Sequence, residues 1–177
     1  MFLDVYFNKE RTLSSEIYVI TDCIFYDTGV TGTKNSNWEN YGSRLTIVTD
    51  SNGTSLTGKA SQNGYYFVNG SDKFIFDEYV CEFDVLDIGG GVRWYHQTST
   101  GGSSNETVFV FDSYITGACT VKIIVSDGVA TLYVDNTQVA TKTLNTSVIA
   151  PYEIGFRTNN GTENTITYKD FKVYVLI

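Results

Sequence analysis

The stretch from Cys119 to Lys142, CTVKIIV-SDG-VATLYVDNTQVATK, constrains the fold of this chain more than any other. Val121, Ile123 and Val125 fall on one side of an extended run, and Ala130, Leu132 and Val134 on one side of the next. Successive side chains of a strand point to opposite faces, so a period of two marks strands with one face against a core. Between the runs stand Ser126-Asp127-Gly128 and Asp135-Asn136, residues that accept the positive φ of a two-residue hairpin. The stretch therefore reads as a three-stranded antiparallel meander.

The rest of the chain repeats the pattern. Strand-like runs cover Glu16–Asp27 (one or two strands), Arg44–Thr49, Tyr65–Val68, Glu78–Leu86, Val92–Gln97, Glu106–Phe111, Tyr152–Arg157 and Thr165–Val175. Glycine- and asparagine-bearing turns such as Asp50-Ser51-Asn52-Gly53 punctuate them. The polar passage Thr28–Gly42, with Trp38 and Tyr41, reads as a loop, as does Thr98–Asn105. No segment of eleven or more residues carries a 3.6-residue period, so helices should be few and short. About a dozen short strands in 177 residues predict an all-β, antiparallel β-sandwich or closed barrel. Residues 1–15 read as a connector or an added edge strand, and residues 16–177 as the sandwich.

Charge narrows the partners. Twenty Asp and Glu against twelve Lys and Arg give a net charge of −8 and a pI near 4.5, with no basic cluster. A phosphate backbone would be repelled, so nucleic acid is excluded as an expected partner. No apolar run is long enough for insertion into a membrane. Met1-Phe2-Leu3-Asp4 has no basic leader, so export is expected only through a longer parent chain or a virion. Charged residues make up 18% of the chain, below the usual ~25%, and aromatic residues 15%. A surface of hydroxyls, amides and rings points to an extracellular, virion or cell-surface setting. Cys23, Cys81 and Cys119 are odd in number and widely spaced, fitting free core thiols better than a disulfide framework or zinc site; one pair with one free thiol is the alternative. Asn-x-Ser/Thr triplets begin at Asn52, Asn69, Asn105, Asn145 and Asn160, which matter only where the source glycosylates.

The order of a Trp38-bearing polar passage, EYVCEFDVL, VKIIVSDGVATLYVDNTQVA and a closing ITYKDFKVYVL resembles the concanavalin A-like lectin/glucanase superfamily, which includes laminin-G-like domains. The resemblance covers about residues 20–177. It implies an antiparallel jelly-roll of two stacked sheets, a last strand lying beside the first, and a concave face able to hold a glycan. Lectins, carbohydrate-binding modules, glucanases and architectural domains share that fold, so the fold alone does not fix the function.

Three constellations could carry chemistry. The first is Glu82-Phe83-Asp84-Val85-Leu86-Asp87, which resembles the Glu-x-Asp-x-(x)-Glu strand of the superfamily's glucanases. There, two carboxylates roughly 5–5.5 Å apart serve as nucleophile and acid. Glu82 matches the nucleophile and Asp84 the supporting acid, but Asp87 stands one methylene short of the third position. A strand alternating acids outward with Phe83 and Val85 inward is also ordinary surface patterning, and that is the preferred reading. The second is Arg93-Trp94-Tyr95-His96-Gln97. Sugar rings present C–H faces to aromatic side chains and hydroxyls to planar polar groups, and if Val92 marks the core, Arg93, Tyr95 and Gln97 should line an open face together with Glu82 and Asp84. Trp38 and Tyr41 would rim it, and a glycan-binding module should expose the ring of Tyr95 or Trp38. His96, the only histidine, has no nucleophile near it in sequence and reads as a strand residue. The third is calcium at Asp50–Gly53 or Asn159–Asn164; neither matches an ion-binding loop in full, and turn chemistry accounts for both. No cofactor is expected. A non-catalytic carbohydrate-recognition or adhesion module, working as a homo-oligomer or within a larger assembly such as a phage tail, is the expected function. A glucan hydrolase using Glu82 and Asp84, and a ligand-free structural domain, are the alternatives.

Overall fold

A computed structural model describes residues 11–13, 16–18, 20–59, 63–68, 74, 76–98, 105–148, 150, 152–159 and 164–176, with side chains from residue 23 onward except 97, 98, 105 and 106. In chain order the strands are β1 (Arg11–Leu13), β2 (Glu16–Tyr18), β3 (Ile20–Asp27), β4 (Trp38–Asn40), β5 (Leu45–Thr49), β6 (Thr54–Gly58), β7 (Gly64–Val68), β8 (Tyr79–Ile88), β9 (Val92–Thr98), β10 (Asn105–Val110), β11 (Cys119–Ser126), β12 (Val129–Val134), β13 (Thr137–Thr143), β14 (Tyr152–Thr158) and β15 (Thr165–Leu176). Among the described residues the only helical elements are two single 3-10 turns, at Tyr41–Ser43 and Phe111–Ser113.

The strands form an antiparallel β-sandwich of the jelly-roll kind. One sheet has five strands in the order β10-β9-β14-β7-β4. The other has eight, β13-β12-β11-β8-β15-β6-β5, with β3 also paired to β15. The expected meander is β11-β12-β13. Its two turns are Asp127-Gly128 and Asp135-Asn136, all four at positive φ, so both are the primed turns that match strand twist. Strand β15 returns beside the early strand β3, as the resemblance implied: its first half pairs with β6, its second half with β3. Between the halves the ladder with β8 skips from Lys169 to Lys172, and Asp170 takes a φ of 51°, a bulge that turns the strand from one partner to the next.

Alternation fills the space between the sheets with rings. Cys81, Phe83 and Val85 of β8 and Tyr168, Phe171 and Val173 of β15 meet Trp94 of β9 and Phe156 of β14, all fully or nearly fully buried. Phe83 lies edge-on to Phe156 with centroids 5.3 Å apart and stacks near Trp94 at 5.9 Å. Each such side chain contributes about 1.5–3 kcal/mol by leaving water. Cys23, Cys81 and Cys119 are all free thiols, but only Cys81 is fully in the core: Cys119 is half-buried and Cys23 exposed, which corrects the expectation that all three are core residues.

Trp38 joins this core, which corrects two expectations. It does not sit in a loop, since β4 pairs Trp38–Asn40 with β7. Nor does it rim a cleft: its indole stacks on Tyr66 at 4.6 Å and contacts Phe171 at 4.8 Å. The reason is a buried carboxylate. Asp27 ends β3 with no exposed surface, and its Oδ1 accepts the backbone N–H groups of Gly29 (3.0 Å) and Asn35 (2.8 Å). Its Oδ2 accepts from Trp38 Nε1 (2.6 Å) and the Tyr168 hydroxyl (3.2 Å). One side chain thus folds the polar passage 28–37 and pulls the indole inward. Strand β6 carries no local signal either, because TSLTG has Leu56 as its sole large apolar residue while Thr54 and Gly58 fill the other buried positions. Of residues 1–15 only Arg11–Leu13 are described, and that short strand pairs with β2.

Candidate functional site

On each strand of the five-stranded sheet the residues that miss the core share the outer face. The ladder sets them in rows. Tyr65 of β7, Arg157 of β14, Arg93 of β9 and Val110 of β10 stand side by side in one row. The next holds Glu39 of β4, Phe67, Gly155, Tyr95 and Thr107. Beyond it Glu153 stands opposite Gln97, whose side chain is outside the described set. The 3-10 turn after β4 carries Tyr41, 52% exposed, over the rim, edge-on to Tyr65 with centroids 6.4 Å apart.

Four rings and three guanidinium groups gather on this face, with Tyr41 exposed, Tyr65 half-buried, and Phe67 and Tyr95 buried. Tyr65 and Tyr95 lie 5.2 Å apart, and Phe67 and Tyr95 stack at 6.2 Å across Gly155, which puts no side chain between them. The guanidinium of Arg157 sits over both Tyr65 (5.4 Å) and Tyr95 (5.9 Å), and its Nη1 donates to Thr107 Oγ1 at 3.0 Å. Attraction to the ring faces and one hydrogen bond therefore hold a cation in a fixed pose. Burial pushes the Tyr95 phenol well above its ordinary range; Tyr65 adds to the shift, Arg157 opposes it, and Glu153 adds again. Its hydroxyl stays protonated at any physiological pH. Arg44 lies over the Tyr41 ring at 5.4 Å, extending the cationic rim.

Arg93 and Tyr95 share this outward face, as alternation predicted, but two details differ from expectation. Tyr95 is only 1% exposed, so the rings open to solvent on this face are not Tyr95 but the half-buried Tyr65 and the exposed Tyr41. And Arg93 and Tyr95 do not share a surface with Glu82 and Asp84. Those carboxylates belong to β8 in the other sheet and face the opposite side of the sandwich, because Phe83 and Val85, which alternate with them, point into the core that Trp94 enters from across. His96 is buried with Trp94 on the inner side of β9, edge-on to Tyr152 at 4.2 Å. Sequence reasoning missed Tyr65, Phe67 and Arg157. The YEIGFR run did carry a signal, since Glu153, Gly155 and Arg157 alternate with Tyr152, Ile154 and Phe156. GYYFV carried none, because aromatic residues fall on both of its faces.

On the outer face of the eight-stranded sheet, Glu82 pairs with Lys122 at 3.2 Å. Asp84 accepts from Thr120 Oγ1 at 3.0 Å and lies 3.9 Å from Lys169. A bulge in the β8–β15 ladder keeps Asp87, which is exposed, on that same side. A cleft of about 510 Å³ opens beside it, lined by Thr28, Val30, Ser51, Asn52, Leu86, Lys169 and Asp170. Asp50 spends its Oδ1 on the N–H groups of Asn52 and Gly53, an Asx turn rather than an ion loop. Residues 160–163 of the second candidate calcium loop are outside the described set, and among the described residues no group of three metal-ligating side chains converges. No described helix is long and apolar enough to cross a membrane.

No family model matches the sequence, and no characterised protein matches it by sequence comparison. Solved structures do match the fold. A Bacillus subtilis protein of unknown function with a galectin-like fold superposes at a TM-score of 0.61, with 12% identity over 90% of this chain and 99% of that one. The carbohydrate recognition domain of Emp46p, solved as a point mutant, gives 0.59 at 12% identity over 86% and 97%. The B. subtilis carbohydrate-binding module CBM66 gives 0.54 at 9% over 78% and 95%. At these identities the likeness is one of fold.

Proposed function

We propose that this chain is a non-catalytic carbohydrate-recognition module of the concanavalin A-like lectin/glucanase superfamily, with its ligand face on the outer side of the five-stranded sheet. The observation that carries the reading is the Tyr65–Arg157–Tyr95 assembly beside exposed Tyr41, in which a fixed cation bridges two rings at the edge of a platform. Pyranose C–H faces stack on such rings, while the guanidinium groups and the exposed carboxylate of Glu39 suit hydroxyl groups. The fold neighbours that are recognition domains and binding modules support the choice. An acidic surface rich in hydroxyls and rings supports an extracellular, virion or cell-surface setting, where such a module would serve adhesion within a larger assembly.

The test is a glycan array probed with the wild type beside Tyr65→Ala and Tyr41→Ala, each checked for native circular dichroism. Signal that falls at least about tenfold in a folded Tyr65→Ala protein supports the reading. A blank array, or a signal indifferent to both tyrosines, overturns it in favour of an architectural domain.

A further inference from the structure

Arg93 and Arg157 face one another across the β9–β14 ladder on this same surface. Like charges placed directly opposite on neighbouring strands repel, and a sheet ordinarily avoids them or inserts a carboxylate between them. This chain has carboxylates to spare, twenty against twelve basic residues. Lysines on the other sheet do receive them, Lys122 from Glu82 and Lys169 from Asp84. Among the described residues neither Arg93 nor Arg157 forms an ion pair, and the buried Nε of each has no hydrogen-bond partner. Arg157 is also held rather than free, by the Tyr65 and Tyr95 rings and by Thr107. Two facing, half-buried guanidinium groups with no counter-ion among the described residues suit an oxyanion, which their terminal Nη groups would meet while each Nε stays inside.

Resting on the carbohydrate-recognition reading, we infer that the ligand is an acidic glycan whose ring carboxylate is bound by Arg93 and Arg157 while its sugar ring lies against Tyr65. Tyr41 and Arg44, edge-on and cationic at the rim, would meet the next residue of the chain.

The experiment is calorimetric titration with oligogalacturonate, oligomannuronate and hyaluronan fragments, each beside its carboxyl-reduced neutral counterpart, with a sulfated dextran fragment to tell a carboxylate from a sulfate. The inference expects at least one acidic oligosaccharide to bind ten-fold or more tighter than its reduced counterpart. That margin should collapse in Arg93→Gln and in Arg157→Gln. Arg157→Lys, which keeps the charge and loses the fork, should retain only part of it and serves as the variant to read if Arg157→Gln does not fold. Raising salt from 50 to 500 mM should weaken the acidic ligand and not the neutral one. Preference for the sulfated fragment alone would overturn the carboxylate assignment. Equal affinity for acidic and reduced forms, still sensitive to Tyr65→Ala, would overturn the charge inference and leave the recognition module standing. No binding by any member of the panel would count against both.

Discussion

Replacing Asp27 by Asn isolates what one buried carboxylate does for both the fold and the site. Each carboxylate oxygen accepts two donors: Gly29 and Asn35 backbone N–H on one, Trp38 Nε1 and the Tyr168 hydroxyl on the other. An amide of the same shape offers one oxygen and one NH2, so two of the four donors must face a donor. The least costly orientation turns the NH2 toward Tyr168, whose hydroxyl can rotate to accept. The indole N–H of Trp38 then loses its acceptor, at about 1–3 kcal/mol. The bonds kept to Gly29 and Asn35 lose their charge assistance, which brings the expected loss to roughly 2–4 kcal/mol. For a chain of this size each kcal/mol lowers Tm by about 2–4 °C, so a loss near 3 kcal/mol is a fall of about 6–12 °C. Urea unfolding followed by tryptophan fluorescence reads the free energy, and Asp50→Asn, at an exposed Asx turn, is the control, expected to change little. A local effect on β4 should follow too, since Trp38 anchors the strand that leads to Tyr41 at the rim. An Asp27→Asn protein as stable as the Asp50→Asn control would refute the claim that this carboxylate organises the passage 28–38.

Two further outcomes are expected. A Cβ added at Gly155 would lie 2.3 Å from the Tyr66 carbonyl oxygen and 2.7 Å from Phe67 Cα, both backbone atoms that cannot step aside. Gly155→Ala should therefore cost about 1–3 kcal/mol in urea unfolding and disturb the Phe67–Tyr95 stack. Stability should also fall on the alkaline side. Burial raises Cys81, Tyr79 and Tyr168 well above their ordinary values, and takes Cys119 to about 11 and Tyr152 to about 12. An acid whose folded value is raised keeps its proton after the unfolded chain has lost its own. The stabilisation is thus complete below about pH 8.5 and is lost as pH climbs through the folded values. Unfolding free energies measured at pH 8, 9.5 and 11 should decline in that order; a flat profile would contradict the burial of these groups.

What could be read from the sequence follows the strength of local periodicity. The meander was legible because β11 and β12 alternate cleanly and their turns carry Asp-Gly and Asp-Asn at the positions that need positive φ. Strand β4 was not, because three residues cannot display a period and their placement depends on Asp27, eleven residues away. Arg93 and Tyr95 were placed on the right side of β9 by the same alternation. Their neighbours across the sandwich cannot be read the same way, because alternation tells which face of its own sheet a residue takes and not which sheet its strand joins. Glu82 and Asp84 alternate just as clearly, yet β8 stands in the opposite layer. The pairing of Arg93 with Arg157 is a matter of ladder register between strands far apart in the chain. No local pattern encodes it.

If ligand binding belongs to the outer face of the five-stranded sheet, amide chemical-shift mapping will locate it there. With 15N-labelled protein and the best-binding oligosaccharide of the panel, perturbations should centre on Tyr65, Arg93 and Arg157 and extend to Tyr41, leaving Glu82, Asp84 and Lys122 unmoved. Perturbations gathered instead around Glu82, Asp84 and Lys169 would place the site on the other sheet and rule out the five-stranded face.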